Sequence, residues 1–280
     1  MSLRIAVVGA GLIGGAIALR LRDRGAAARV WDRDRATRTA VAAAGLACGH
    51  DLADTVATAD IVVLAVPLPA LPDLLDEVMA LARPDAVVTD VGSAKTAVTA
   101  RARDRRYERF VAGHPMAGGP RAGFDPEAAS LLVGAAWALD DDSADPAAYR
   151  RVADLLARHF DARIVPVSAG RHDAAVALVS HLPHLLAAVL ANTAAPDQIA
   201  QLLAAGSYRR ATASAASAPC RSAAMVWENR DAVRAALRAF AAALADADLA
   251  LQAPDDAAIC AVFASAHAAL TASPASARLG

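Results

Sequence analysis

Through the first part of the chain, short apolar runs alternate with amphipathic stretches. Runs at 4–8, 28–31, 61–66, 86–90, 109–112, 135–139 and 163–167 predict strands of a parallel sheet. The intervening stretches 13–24, 35–44, 71–81, 96–103 and 146–160 predict its covering helices. Pro146 suits a first helical turn, where its missing N–H is not needed. After 167 the strand signal stops. Leucine and alanine then recur at helical spacing, with breaks near 195–196, 206–207 and 253–254. The expected architecture is an α/β domain with a Rossmann-type parallel sheet over 1–168, followed by an all-helical domain over 169–280. The small residues of 271–280 predict a frayed tail.

Composition narrows the partners. At 280 residues and 56% hydrophobic, the chain can bury a large core, and its alanine content favours closely packed helices. Aromatics are 4% and the net charge is −1, so neither nucleic acid nor an anionic membrane is an expected partner. Cys48, Cys220 and Cys260 match no metal-ligand spacing and fit reduced thiols of the cytoplasm. A strand starting at Leu3 leaves no room for a signal peptide. No apolar run is expected to reach a membrane span, the richest candidate being 257–270, interrupted by Ser265 and His267. A soluble cytoplasmic protein is the expectation.

Chemistry enters at the first strand, which runs into Gly9-Ala10-Gly11-Leu12-Ile13-Gly14 and directly on into a helix. Gly9 serves the tight turn, Gly11 a close approach of backbone to a pyrophosphate, and Gly14 the packing of helix on strand. The helix N-terminus offers free N–H groups to phosphate. Asp32 ends the second strand, where its carboxylate can accept from both ribose hydroxyls and repel a 2′-phosphate. NAD is therefore the expected cofactor, although Arg33 next door could accept that phosphate. Val66, Pro67 and Ser93 complete the expected cofactor-binding set with Gly9, Gly11, Leu12, Ile13, Gly14, Asp32 and Arg33.

Three further segments belong together: Asp90-Val91-Gly92-Ser93-Ala94-Lys95, Gly113-His114-Pro115-Met116-Ala117-Gly118, and a helix carrying His172-Asp173 and then Ser180-His181-Leu182-Pro183-His184. After a Rossmann fingerprint, this set resembles the prephenate/arogenate (cyclohexadienyl) dehydrogenase family, from the first strand to about Asn229. In an open parallel sheet, ligands bind beyond the carboxyl ends of the strands, where Ser93 and His114 are expected. A histidine there can accept a proton from a substrate hydroxyl near neutral pH. Ser93 also suits the N-cap of the helix at 96–103. His181 and His184 share a helix face, and no third metal ligand is evident from spacing. The resemblance implies NAD-dependent oxidative decarboxylation of a cyclohexadienyl acid such as prephenate, with His114 and Ser93 catalytic and His181 lining the substrate pocket. It also implies a homodimer through the C-terminal helices. At this length, neither a fused chorismate mutase nor a regulatory domain is expected.

Two departures stand out. Where the family has GxFRDxTR, this chain has Gly206-Ser207-Tyr208-Arg209-Arg210-Ala211-Thr212-Ala213, so the final arginine is Ala213. The acidic residue expected after the GHPMAG segment is replaced by Pro120. Arg209 and Arg210, with Arg121 and Arg221, are candidates to hold the substrate carboxylate instead. The alternatives are a changed substrate, such as 4-amino-4-deoxyprephenate, or a catalytically inactive NAD-binding relative. The wider group of Rossmann-plus-helical dehydrogenases normally carries a lysine or aspartate on the interdomain helix. Here that helix has Asp173 and histidines but no lysine.

Overall fold

The computed structural model describes residues 3–119, 123–142 and 144–272. Its centre is a six-stranded parallel sheet in the order β3-β2-β1-β4-β5-β6. The strands are β1 (Arg4–Val8), β2 (Ala27–Trp31), β3 (Ala47–Cys48), β4 (Ile61–Leu64), β5 (Val87–Asp90) and β6 (Phe110–Val111). β4 and β5 are buried along their whole length, as strands covered on both faces must be. One covering layer packs Ile17, Leu19, Leu21, Trp137 and Phe160. The other packs Leu71, Leu75, Val78, Val98 and Phe110.

The helices of this part are α1 (Leu12–Asp23), α2 (Arg35–Ala43), α3 (Leu52–Val56), α4 (Leu71–Leu81), α5 (Thr96–Asp104) and α6 (Pro146–Phe160). Aspartates start three of them by accepting a backbone N–H: Asp34 for α2, Asp51 for α3 and Asp145, just before Pro146, for α6. β3 and α3 have no counterpart in the periodicity, being too short to show one.

The expected single strand at 109–112 is a correction. It ends at Val111, and Gly113–Pro115 forms β7 of a second sheet, β7-β8-β9, with β8 (Ala136–Leu139) and β9 (Arg163–Pro166). β7 runs antiparallel to β8. The switch has a local cause. Beside this point β5 ends, and the Gly113 N–H goes to the Asp90 carboxylate, 3.1 Å away, in place of a backbone partner on β5.

Beyond β9 the chain is helical, as the change of period predicts. A continuous helix comprises α7 (Ala169–Val176), a π-helical turn (Ala177–His181) and α8 (Leu182–Ala194). α9 (Gln198–Leu202), α10 (Gly206–Thr212), α11 (Pro219–Glu228), α12 (Arg230–Leu251) and α13 (Ala257–Ala272) follow, and the predicted breaks fall between them. Contacts divide the chain after Val233, so α7 to α11 share a compact unit with the sheet, and Arg234–Gly280 is a second unit. Ala169–Ala194 is long and apolar enough to cross a membrane by length and composition, contrary to the expectation that no run would be. Within it, His172, Asp173 and His181 are buried and hydrogen-bonded inside the protein. Of the predicted tail, 273–280 lie outside the described residues.

Candidate active site

The glycine loop has the geometry of a phosphate cradle. Gly9 has φ +94°, and a Cβ there would lie 2.3 Å from the Ala65 carbonyl oxygen and 2.9 Å from the Val66 side chain. A Cβ on Gly14 would lie 1.9 Å from the Gly9 carbonyl oxygen, so α1 can rise this close to β1 only with glycine. At Gly11 the demand is the reverse: a Cβ would meet nothing within 4 Å. Gly11 is the N-cap of α1 and makes no side-chain cap, so the first-turn N–H groups of the helix have no helical acceptor. Asp32 closes the cradle from β2. Its Oδ2 accepts from Ala10 N–H at 2.8 Å and its Oδ1 from Asp34 N–H at 2.8 Å, which fixes the carboxylate beside the loop. Arg33 is exposed, and Arg38 lies on the carbonyls of Asp32 and Arg33 at 2.6 and 3.1 Å. Pro67 follows β4, exposed beside the half-buried Val66.

At the adjoining strand ends the structure assembles a buried polar network. His114 sits in β7, half-buried, with Nδ1 2.9 Å from His172 Nε2. His172 Nδ1 lies 2.7 Å from Asp173 Oδ1. The anionic end fixes the proton positions: His172 Nδ1–H donates to Asp173, so its Nε2 accepts from His114 Nδ1–H. The lone pair of His114 Nε2 is left for other work. Burial, then the neighbouring His172, Lys95 and His181, hold His114 well below the ordinary histidine value, so it is neutral near pH 7.

Asp173 anchors the relay. Burial disfavours its charge, but hydrogen bonds from His172, Thr96 and Lys95 outweigh this and hold its carboxyl below the usual range. It accepts from the backbone N–H of Lys95 and of Thr96, each at 2.8 Å, and from Thr96 Oγ at 2.5 Å. These bonds cap α5. The expected N-cap, Ser93, does not do so: the cap position is Lys95, and the capping oxygens come from α7. Ser93 remains half-buried in the loop three residues beyond the end of β5.

His181 closes the other side. Its Nδ1 accepts from Asn229 Nδ2 at 3.1 Å, and Asn229 Nδ2 also donates to the Asp173 carbonyl at 2.8 Å. His181 Nε2 therefore carries the hydrogen, buried and beside the Ser93 backbone, with no acceptor at good hydrogen-bond geometry among the described residues. An unpartnered buried donor is costly unless something binds there. The π turn that ends at His181 widens the helix where this side chain enters, as π turns often do at functional positions. His184 is tied back to the Ser180 carbonyl at 2.9 Å.

Burial, more than any neighbour, lowers the pKa of His181 from 6.5 to about 4. The unfolded chain then takes up this proton at a higher pH than the folded chain. From His181 alone, stability is expected to be level above about pH 6.5 and to fall by roughly 2–3 kcal/mol as the pH drops to about 4. Urea unfolding at several pH values should show a shallower fall for His181→Gln. Equal falls would contradict the assignment.

Arg209 and Arg210 are not brought to this network. Both are exposed on α10, Arg209 reaching the Ala204 carbonyl at 3.4 Å and Arg210 folding toward Gly206. Arg221 donates to the Gly119 carbonyl at 3.0 Å, while Pro120 and Arg121 lie outside the described residues. Ala213 starts an exposed 3₁₀ turn. No cluster of three or more metal-ligating side chains occurs among the described residues. His172, Asp173, Asp90, Lys95 and Asn229 carry no role that the sequence alone assigns. The available signals were a His-Asp pair inside an apolar helix and an aspartate ending a buried strand.

Comparison with known proteins fits this geometry. Residues 17–165 match the family model described as prephenate dehydrogenase, nucleotide-binding domain, and 168–265 match prephenate dehydrogenase, dimerization domain. A prephenate dehydrogenase of Bacillus subtilis is 31% identical over 242 residues, 82% of this chain and 65% of that protein. The chain thus spans just under two thirds of that relative. A cyclohexadienyl dehydrogenase of Zymomonas mobilis is 31% identical over 230 residues, 77% of each chain. A crystal structure of a provisionally assigned prephenate dehydrogenase from Corynebacterium glutamicum superposes with a TM-score of 0.87 at 30% identity, covering 98% of this chain and 91% of that one. The chain belongs to the prephenate dehydrogenase family.

Proposed function

We propose that this chain catalyses the NAD-dependent oxidative decarboxylation of a cyclohexadienyl acid, prephenate or arogenate, in tyrosine-type aromatic biosynthesis. The observation that carries this reading is a neutral histidine, His114, backed by His172 and Asp173 at the strand ends next to a glycine cradle. The cradle fits a dinucleotide: Gly9, Gly11, Leu12, Ile13 and Gly14 would face the pyrophosphate, and Asp32 the ribose hydroxyls. Val66, Pro67 and Ser93 would lie toward the nicotinamide, with Arg33 outside. Bound NAD⁺ supplies a hydride acceptor.

His114 Nε2 accepts the proton of the substrate's C4 hydroxyl as hydride leaves C4, and the O–H electron pair becomes the C4=O bond. The ring carboxylate then departs as CO₂, and its bonding pair moves through the ring to the C4 oxygen. That phenolate recovers the proton from His114. The protein's tasks are to orient C4 and to manage one proton. The His181 Nε2–H, with no acceptor at good hydrogen-bond geometry among the described residues, suits an acceptor oxygen of the substrate. Arg209 and Arg210 are proposed carboxylate ligands only if α10 presents them to substrate in the assembled enzyme.

On this reading 1–168 bind the dinucleotide, and 169–280 form the substrate and dimerisation part. A homodimer through the C-terminal helices would cover the exposed Phe240, Leu244 and Leu249 of α12 and the exposed Phe263 of α13. Three unpaired thiols fit the cytoplasm.

Ala213 favours a second reading, in which the substrate carries an amino group as in 4-amino-4-deoxyprephenate. Purified protein with NAD⁺ and each of prephenate, arogenate and the amino analogue, followed by reduced nicotinamide absorbance, decides. Turnover of prephenate or arogenate is expected. Preferential turnover of the amino analogue selects the second reading. Turnover of none, by a folded protein that binds NAD⁺, would identify an inactive relative.

A further inference from the structure

Of the 28 lysine and arginine residues in this chain, all but Lys95 are arginine. The exception is buried, with its side chain 3% exposed. Its Nζ contacts Asp90 Oδ2, itself fully buried, and donates to the Gly113 carbonyl at 2.8 Å. The same carboxylate accepts from Gly92 N–H at 2.8 Å through Oδ2 and from Gly113 N–H at 3.1 Å through Oδ1. The ion pair therefore holds both the N–H and the C=O of Gly113, the residue immediately before His114. Gly113 is confined from a third side, since a Cβ there would lie 2.8 Å from the Asp90 carbonyl oxygen.

Arginine could not do this. Its planar fork carries five N–H donors, and the closed space offers an ammonium two acceptors. A buried ion pair is also a poor choice for stability alone, since well-packed apolar residues often serve as well or better. A lysine kept here, in a chain that otherwise uses arginine, calls for a reason beyond packing.

We infer that Lys95, paired with Asp90, is a positioning residue that clamps the Gly113 peptide and thereby aims His114 Nε2 at the hydroxyl to be oxidised. The inference rests on the function proposed above. Lys95 acts through its neighbour and touches no reacting atom. It also contributes charge. The groups around His114 are His172 from α7, His181 from the π turn and Lys95 from the loop before α5. Asp173 stands behind His172, and Asp90 and Asp140 face Lys95. A cation at Lys95 favours the uncharged imidazole that a base requires.

The test uses Lys95→Met and the double variant Lys95→Met/Asp90→Asn, which leaves no unpaired buried carboxylate. In either folded variant kcat should fall about 30- to 100-fold, with substrate KM and NAD⁺ affinity within about threefold of wild type. In Lys95→Met the acid limb of kcat/KM should also move up by about one pH unit, because Asp90 then faces His114 without its counter-ion. A kcat within about twofold of wild type and an unmoved acid limb would overturn the inference.

Wild-type protein provides an arm independent of turnover and of variant folding. With ¹⁵N-labelled lysine and histidine, the single ε-ammonium should be protected from exchange and should shift as His114 titrates. A lysine signal indifferent to that titration would also overturn the inference. Wild-type inactivity on every cyclohexadienyl acid would instead sink the functional reading, and this arm would still test the clamp.

Discussion

Replacing His114 with asparagine is expected to lower kcat by about 10²- to 10⁴-fold while the protein stays folded and still binds NAD⁺. Asparagine keeps a polar group near His172 but has no basic nitrogen, so the proton of the C4 hydroxyl has nowhere to go as hydride departs. The loss should fall on kcat with little change in substrate KM, the pattern of a contact used mainly in the transition state. The wild-type pH profile provides the companion measurement. The base works only when neutral, and His114 is held well below the ordinary histidine value. Activity should therefore persist as the pH falls through 6.5, the ordinary value, and decline only at lower pH. An acid limb at or above that value, or a His114→Asn enzyme keeping more than about a tenth of kcat, would remove His114 from the role.

The second large effect is expected at Asp173. Its carboxylate accepts from two backbone N–H groups, the Thr96 hydroxyl and His172. Asp173→Ala would leave these donors, two of them buried, unpaired together and remove the cap of α5, costing about 3–5 kcal/mol of stability. Urea unfolding measures this directly. Asp173→Asn should be milder for stability, because its amide oxygen can still accept from part of the set. It should nevertheless lose activity: without the anion, nothing fixes His172 with its proton on Nδ1, and so nothing fixes His114 with its lone pair on Nε2. An Asp173→Asn enzyme with wild-type kcat would show that the relay orients nothing.

How much of this was legible in the sequence differs from part to part. The parallel sheet was, because β4 is an unbroken apolar run and the starts of α2, α4 and α6 carry an aspartate or proline. The glycine cradle was, because its three glycines serve steric demands that are local in sequence. The site network was only half legible. His114 and His172 are 58 residues apart, and Lys95 and Asp173 are 78 apart, so no spacing rule links them. The assignment of Ser93 to the cap failed for the same reason: a local rule was overridden by a carboxylate from a distant helix. The departure of the chain at Gly113 into a second sheet was invisible because a side chain, Asp90, replaces a backbone partner there.

The concealment of the chain's single ε-amine has a practical consequence. Amine-directed reagents, whether acylating dyes or crosslinkers, find no lysine on the native surface, since every exposed cation of this kind is a guanidinium. Reaction at Lys95 must wait until the strand ends around it come apart. Its acylation rate in dilute denaturant thus reports how often this part of the molecule opens, a clock built into the composition of the chain.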